Sequence, residues 1–273
     1  MSAVHEGRST PDVATAKARR WGSWYVAEHR LRSMRAYAQT ILATSIGNPV
    51  VYLFALGVGL ATLVPTGVGD ATYLQFVAPA LLATAAVTVA TEEFTYPVLM
   101  GFKWNPIFFG MNAAPISGTQ IANGLALSVL ARILVTCVIY FLFMLAFGAV
   151  PSPIGWLAIL AATLTGTAIG LAIMAYTCTV EEDKGQMAVI MRFIVTPLFL
   201  FSGTFFPLTQ LPLYLQWIGW ISPLWHGTEL GRLLTYGYEE PIWLTVIHVV
   251  YPLALAVFGL VAAQRIITRR LDK

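Results

Sequence analysis

The chain has 273 residues, of which 58% are hydrophobic and 11% charged, with a formal net charge of +3. Soluble globular chains carry roughly 25% charged residues, and the mean hydropathy here is +0.73, so the composition excludes a soluble enzyme and points to an all-α integral membrane protein. The basic residues gather at the two ends of the chain, where they bear on orientation in a bilayer rather than on a nucleic-acid partner.

Residues 1–20 are polar and read as a disordered cytoplasmic tail; residues 21–273 read as one transmembrane domain. No apolar signal-peptide core precedes Trp21, so the first span serves as its own insertion signal. From Trp21 to Arg35 aromatic residues mix with charges. This segment fits an amphipathic helix lying in the interface, with Trp21, Trp24 and Tyr25 toward lipid and Arg30, Arg32 and Arg35 near phosphate. The plainer alternative is a basic flank of the first span.

A hydrocarbon core takes roughly 20 helical residues. Six apolar runs have that length, at about 38–63, 74–96, 116–148, 154–178, 187–206 and 242–266. Turn signals separate them at Pro65-Thr66-Gly67, Pro151-Ser152-Pro153 and Glu181-Glu182-Asp183-Lys184-Gly185.

The loop between the second and third runs is too aromatic for a simple connection, with Phe102, Trp104, Ile107, Phe108, Phe109 and Met111. Pro106 suits a first helical turn, so a short helix over about 105–112 is expected. Its aromatics either dock into a partner's groove or bury against the chain's own interfacial helix. Trp104, Asn105, Ile107, Phe108 and Met111 are the candidate partner contacts. Arg132 sits mid-way along the third run, where a charge needs a partner; Glu92 or Glu93, at the end of the second run, can supply it. Such a pair can be structural or can belong to a transport path. The acidic turn near 181–186 is either a solvated loop or a second partner contact through Glu182 and Asp183.

Between Arg192 and Glu229 the chain runs 36 residues without an Asp, Glu, Lys or Arg. That is too long for one crossing, and it is broken by Pro207, Pro212 and Pro223, with Trp217, Trp220 and Trp225 set among and just after them. Prolines break helices within a membrane protein only where neighbouring protein satisfies the backbone, and tryptophans favour the interface. A fifth span followed by two short re-entrant helices on the outer side fits; a long apolar loop on the bilayer surface is the alternative. Of the 16 Lys and Arg residues, 13 fall in the N-terminal segment, the loops holding Lys103 and Lys184, and the C-terminal tail. The positive-inside rule therefore puts both termini in the cytoplasm, as six spans require.

Cys137 and Cys178 lie inside spans and read as packing residues; the four histidines are scattered, and no metal-ligand spacing occurs. Gly-Lys never occurs, so the P-loop GxxxxGK[ST] cannot be formed and ATP must be handled elsewhere. There is also no series of midplane ionisable groups of the kind that ion-coupled carriers use.

Two stretches resemble the ABC-2 type permease family, in particular the branch of nodulation lipo-oligosaccharide exporters and daunorubicin-type drug exporters. One is Phe94-Thr95-Tyr96, Trp104, Phe109-Gly110-Met111 and Ala114-Pro115-Ile116-Ser117. The other runs from Ser202-Gly203-Thr204-Phe205-Phe206-Pro207 through Leu211-Pro212 and Ser222-Pro223-Leu224 to His226, Glu229 and Arg232. The resemblance covers nearly the whole chain from Trp21. It implies a permease that pairs with itself and with two copies of a separate ATPase, which binds ATP and Mg; this chain itself binds no cofactor and is not an enzyme. It implies that the loop helix and the acidic turn couple to that ATPase, and that the fifth span and outer helices line the exit. Phe199, Phe201, Phe205 and Phe206 are then the candidate pathway and gate residues. The expected function is ATP-driven export of an amphipathic cargo: a hydrophobic drug, a glycolipid or a lipid-linked oligosaccharide. The rival is an ion-coupled secondary transporter of a hydrophobic small molecule.

Overall fold

The computed structural model describes residues 11–60 and 67–272, and among these the fold is helical, with only an isolated bridge between Val68 and Ala71. Residues 1–10 of the expected tail lie outside the described residues, and Pro11 already opens helix α1 (Pro11–Met34). A 3-10 turn over Arg35–Tyr37 leads into α2 (Ala38–Tyr52), which widens into π geometry over Leu53–Gly59. Then come α3 (Tyr73–Phe94), the short helices α4 (Tyr96–Phe102) and α5 (Ile107–Ala113), α6 (Gly118–Ala146) and α7 (Ala158–Thr177). Next is a continuous helical run made of α8 (Gln186–Ile190), a π turn (Met191–Val195) and α9 (Thr196–Phe201). A 3-10 turn over Leu208–Gln210, α10 (Leu213–Trp220), α11 (Pro223–Tyr236) and α12 (Ile242–Leu271) complete it.

Local chemistry sets most boundaries. Capping boxes start the two helices that flank the aromatic loop, Thr72 with Gln75 at α3 and Ser117 with Gln120 at α6. Pro97 and Pro223 occupy the first turns of α4 and α11, where a missing N–H costs nothing. Pro197 removes the N–H that the carbonyl four residues earlier would use, and the helix widens just ahead of it; Thr196 Oγ1 donates to Met191 O at 2.9 Å inside that turn. Gly237 ends α11 with φ +79°.

Among the described residues, five helical segments are long and apolar enough to cross a membrane: 19–57, 73–102, 118–146, 155–177 and 242–271. The 186–201 segment is apolar but shorter. The run expected over 187–206 thus stops at Phe201, because Ser202, Gly203 and Thr204 turn inward and are buried.

α3 and α7 form the centre, with most of their apolar length buried, whereas α6 and α12 are largely exposed. α12 and α3 both pack against α7, α11 packs against α3 and α7, and α1 packs against α6. In a bilayer, helix association depends on close van der Waals contact, which small residues permit. Gly166 and Gly170 of α7 supply it against α3. A Cβ at Gly166 would lie 2.7 Å from the carbonyl carbon and oxygen of Ala86. Gly166→Leu is therefore expected to lower the thermal midpoint in detergent, by overpacking worth about 1–3 kcal/mol or more. Gly47→Leu, where nothing stands within 4 Å, should leave it nearly unchanged.

α1 is helical from Trp21 to Met34, with Val26 and Ala27 buried and Trp21, Trp24 and Tyr25 exposed. Arg30 departs from the expected position near phosphate: it turns inward to a carboxylate.

Candidate functional site

The α4–α5 hairpin forms where α3 breaks at Thr95 (φ −95°, ψ −103°) and the chain folds back after Lys103. Trp104 is 56% exposed and stacks on Tyr96 with ring centroids 6.3 Å apart. Asn105 is exposed and its N–H donates to Met100 O at 2.9 Å, closing the turn. Ile107 and Met111 are half-buried. Phe108 corrects the expected set of partner contacts, since it is only 3% exposed. Its ring seats on Gly101, where a Cβ would collide with it, and meets Phe102 edge-on at 4.9 Å. The helical phase of a seven-residue helix decides this: residues 107, 108 and 111 share the face turned to the bundle, and Phe109 faces away, 43% exposed. The outward aromatic face is thus Tyr96, Met100, Trp104 and Phe109.

The acidic turn follows α7. Glu182 is exposed, while Asp183 is half-buried and accepts from Gly185 N–H at 3.0 Å, holding the turn at a glycine with φ +97°. Asp183 thus has a local structural task as well as a charge.

The structure brings Arg132, Glu92 and Glu93 together and adds a second arginine. Arg132 Nη1 bonds Glu93 Oε1, and Arg132 Nη2 lies 3.5 Å from Glu92 Oε2. Arg30 Nη2 donates to Glu93 Oε2 at 2.6 Å, and the Tyr37 hydroxyl approaches Oε1 at 3.5 Å. Glu93, 3% exposed, is the centre of this group, which ties α1 and α6 to the end of α3.

A cavity of about 240 Å³ opens between α2, α3, α6 and the 186–201 helix. Of the four expected pathway phenylalanines only Phe199 lines it. Phe205 packs edge-on against Phe199 at 4.9 Å, Phe201 is half-buried, and Phe206 is exposed. The walls carry hydroxyls and an amide instead: Thr44, Ser45 and Asn48 from α2, Thr84 and Thr88 from α3, and Thr136 and Tyr140 from α6. Tyr140 is buried and its hydroxyl has no protein partner. Sequence reading passed over these residues because single Ser and Thr are common within apolar helices. Two of them, Thr84 and Thr88, do recur at helical spacing along α3, with Thr91 next beyond the cavity, and all three hydroxyls donate to carbonyls four residues back.

The far end of the bundle holds two groups that the sequence did not reveal. Arg232, which closes the second of the two stretches quoted above, is 1% exposed. It bonds Glu229 Oε1 at 2.8 Å, Phe76 O at 3.2 Å and Gly203 O at 2.6 Å, and lies over the Phe76 ring at 3.6 Å. The histidines that read as scattered meet here too. His226 Nδ1 and His248 Nδ1 are 2.7 Å apart, His226 Nε2 faces Trp220 O at 3.1 Å, and His248 Nε2 faces Glu240 Oε2 at 3.0 Å. A carbonyl only accepts, so His226 carries its proton on Nε2 and receives one from His248 Nδ1. The chain of bonds ends at that carbonyl and locks α11 to α12. Burial raises the Glu240 carboxyl above its ordinary pKa, which favours a proton shared with His248. Among the described residues no three His, Cys, Asp or Glu groups are placed to hold a metal, and Cys137 and Cys178 are free and buried.

Comparison with known proteins gives this helical frame a family. The ABC-2 type transporter family model matches residues 24–236. Nodulation protein J of Rhizobium leguminosarum bv. viciae is 28% identical over 251 residues, covering 88% of this chain and 92% of the relative. Nodulation protein J of Rhizobium meliloti (strain 1021) is 27% identical over 273 residues, covering 95% and 97%. The inner membrane transport permease YadH of Escherichia coli (strain K12) is 24% identical over 210 residues, covering 74% and 76%. Membrane subunits of this family have no ATPase activity themselves. With its matched span running from α1 through α11, this multi-pass membrane protein belongs to the ABC-2 type transporter family as the transmembrane permease component of a transport system.

Proposed function

We propose that this chain is half of the membrane part of an ATP-driven exporter, working with a second copy of itself and two copies of a separate ATPase that holds ATP and Mg. The α4–α5 hairpin carries the reading: a rigid turn that displays Tyr96, Met100, Trp104 and Phe109 outward while Phe108 anchors it to the bundle. Aromatic residues and Met are enriched at protein interfaces, and a few buried anchors carry most of the binding energy. In this reading the 186–201 helix is the fifth of six crossings, α10 and the start of α11 are re-entrant on the outer side, and both termini are cytoplasmic. The hydroxyl-lined cavity beside Phe199 is the cargo's path. Its alternation of hydroxyls with Leu81, Val89 and Val195 suits an amphipathic molecule such as a glycolipid, a lipid-linked oligosaccharide or a polar drug.

Trp104→Asp with Phe109→Asp changes the outward face and spares Phe108. The pair is expected to release the ATPase when the complex is purified through a tag on this chain, because a lost aromatic anchor costs about 2 kcal/mol or more. Permease yield should stay the same. Unchanged co-purification of the ATPase rejects the hairpin as the docking element.

A further inference from the structure

Arg270, the penultimate residue of α12, joins three segments that are separate in sequence. Its Nη1 donates to Cys178 O at 2.9 Å and to Val180 O at 2.8 Å, the carbonyls that close α7 before the acidic turn. Its guanidinium lies over the Phe102 ring at 4.1 Å. Phe102 in turn meets Phe108 edge-on at 4.9 Å, and Phe108 sits on Gly101. The hairpin, the acidic turn and the end of α12 therefore share one side chain. The charge is well placed besides: a cation at a helix C-terminus is favourable, and Glu181 adds a nearby carboxylate. Only a planar fork can do both tasks, stacking its face on a ring while its edge donates to carbonyls. A lysine offers a point charge on a flexible stem.

We propose that Arg270 is the positioning residue that makes the α4–α5 hairpin and the α7–α8 turn move as one rigid piece with α12. Its value for transport rests on the reading above, in which both segments receive the ATPase's movement. A pull on the hairpin then reaches the acidic turn without delay or slack. It also reaches α12 directly, and α12 packs along α7 and α6. Without the clamp the hairpin keeps its apolar seat through Val98, Leu99, Phe102 and Phe108 but loses its polar tie to the acidic turn, which is then free to lag.

The test uses spin labels on cysteines at Lys103 and Lys184, both exposed. The background carries Cys137→Ala and Cys178→Ala, which leaves the Cys178 carbonyl in place. In the purified permease in lipid nanodiscs, the label separation should be one narrow peak. Arg270→Lys should lose that narrow peak while the thermal midpoint barely moves. Phe102→Leu, an apolar exchange that removes the ring under Arg270 together with its edge contact to Phe108, should do the same, and the double variant should be no broader than either single one. In the complex with its ATPase, trapped nucleotide should leave the wild-type separation unchanged and alter it in Arg270→Lys. A narrow peak that survives in both single variants overturns the proposal, as do additive effects in the double variant. If no ATPase is recovered with the chain, the functional reading fails, and the peak of the permease alone still decides whether Arg270 is the clamp.

Discussion

Glu93→Gln is expected to leave little folded protein. The Glu93 carboxylate faces two guanidinium groups, Arg30 at 2.6 Å and Arg132 on its other oxygen, in a setting where it is 3% exposed. Glutamine keeps the shape and removes the charge. Two buried arginines would then be left with Glu92, which is half exposed and 3.5 Å from one of them. Breaking a buried ion pair from one side costs about 3–5 kcal/mol, a large share of a total stability of about 5–15 kcal/mol. Arg132→Met should be milder, because Glu93 keeps Arg30 and Tyr37, and Glu92 reaches water. Arg30→Met with Arg132→Met and Glu93→Gln removes both guanidinium groups and the central carboxylate, leaving only Glu92, which reaches water, and should recover yield. Size-exclusion profiles and thermal midpoints in detergent give the ranking. If Arg132→Met is worse than Glu93→Gln, the carboxylate is not the centre of the group. If Arg132→Met folds normally and abolishes transport, Arg132 acts in the path.

What the sequence made legible here follows from which signals are local. Apolar run length places the long helices because each crossing needs its own stretch of residues, and Pro223 and the capping residues Thr72 and Ser117 fix helix starts from within one turn. The pairing of Arg132 with Glu92 or Glu93 was readable because a lone charge in an apolar run has few possible partners. Arg30 was not, since an arginine among aromatics looks the same whether it faces phosphate or a carboxylate across a helix packing. Phe108 and Phe109 are neighbours with opposite fates, and only the phase of α5 against Gly101 separates them. The phenylalanine-walled path failed for a related reason: Phe199, Phe201, Phe205 and Phe206 straddle the end of α9, so no single helix face carries all four. The histidine pair joins residues 22 apart across two helices, a distance no spacing rule reports.

Arg232→Met should loosen the far end of the bundle while the hairpin end stays intact. Three donors of Arg232 run in three directions, to α3 at Phe76 O, to the buried turn after α9 at Gly203 O, and to Glu229 within α11. No other side chain can make all three, because they require the rigid fork of a guanidinium. Methionine fills much of the volume yet leaves the Glu229 carboxylate buried without its partner, at a cost of about 3–5 kcal/mol. Lysine keeps a charge near Glu229 but loses hydrogen bonds to carbonyls worth about 1.5–3 kcal/mol each when the donor is charged. Arg232→Met with Glu229→Met should therefore be more stable than Arg232→Met alone, since both charges leave together. The place of failure is as informative as its size. A cysteine at Leu208, buried beside Gly219 of α10, should become reactive to a thiol reagent in Arg232→Met well below the global melting temperature. A cysteine at Leu99, buried in α4, should stay protected until the whole protein melts. Equal protection at Leu208 in wild type and variant would mean that the helix-lock of His226 and His248 holds α11 without Arg232; simultaneous exposure at both positions would mean that Arg232 supports the whole bundle and not the segment after α9.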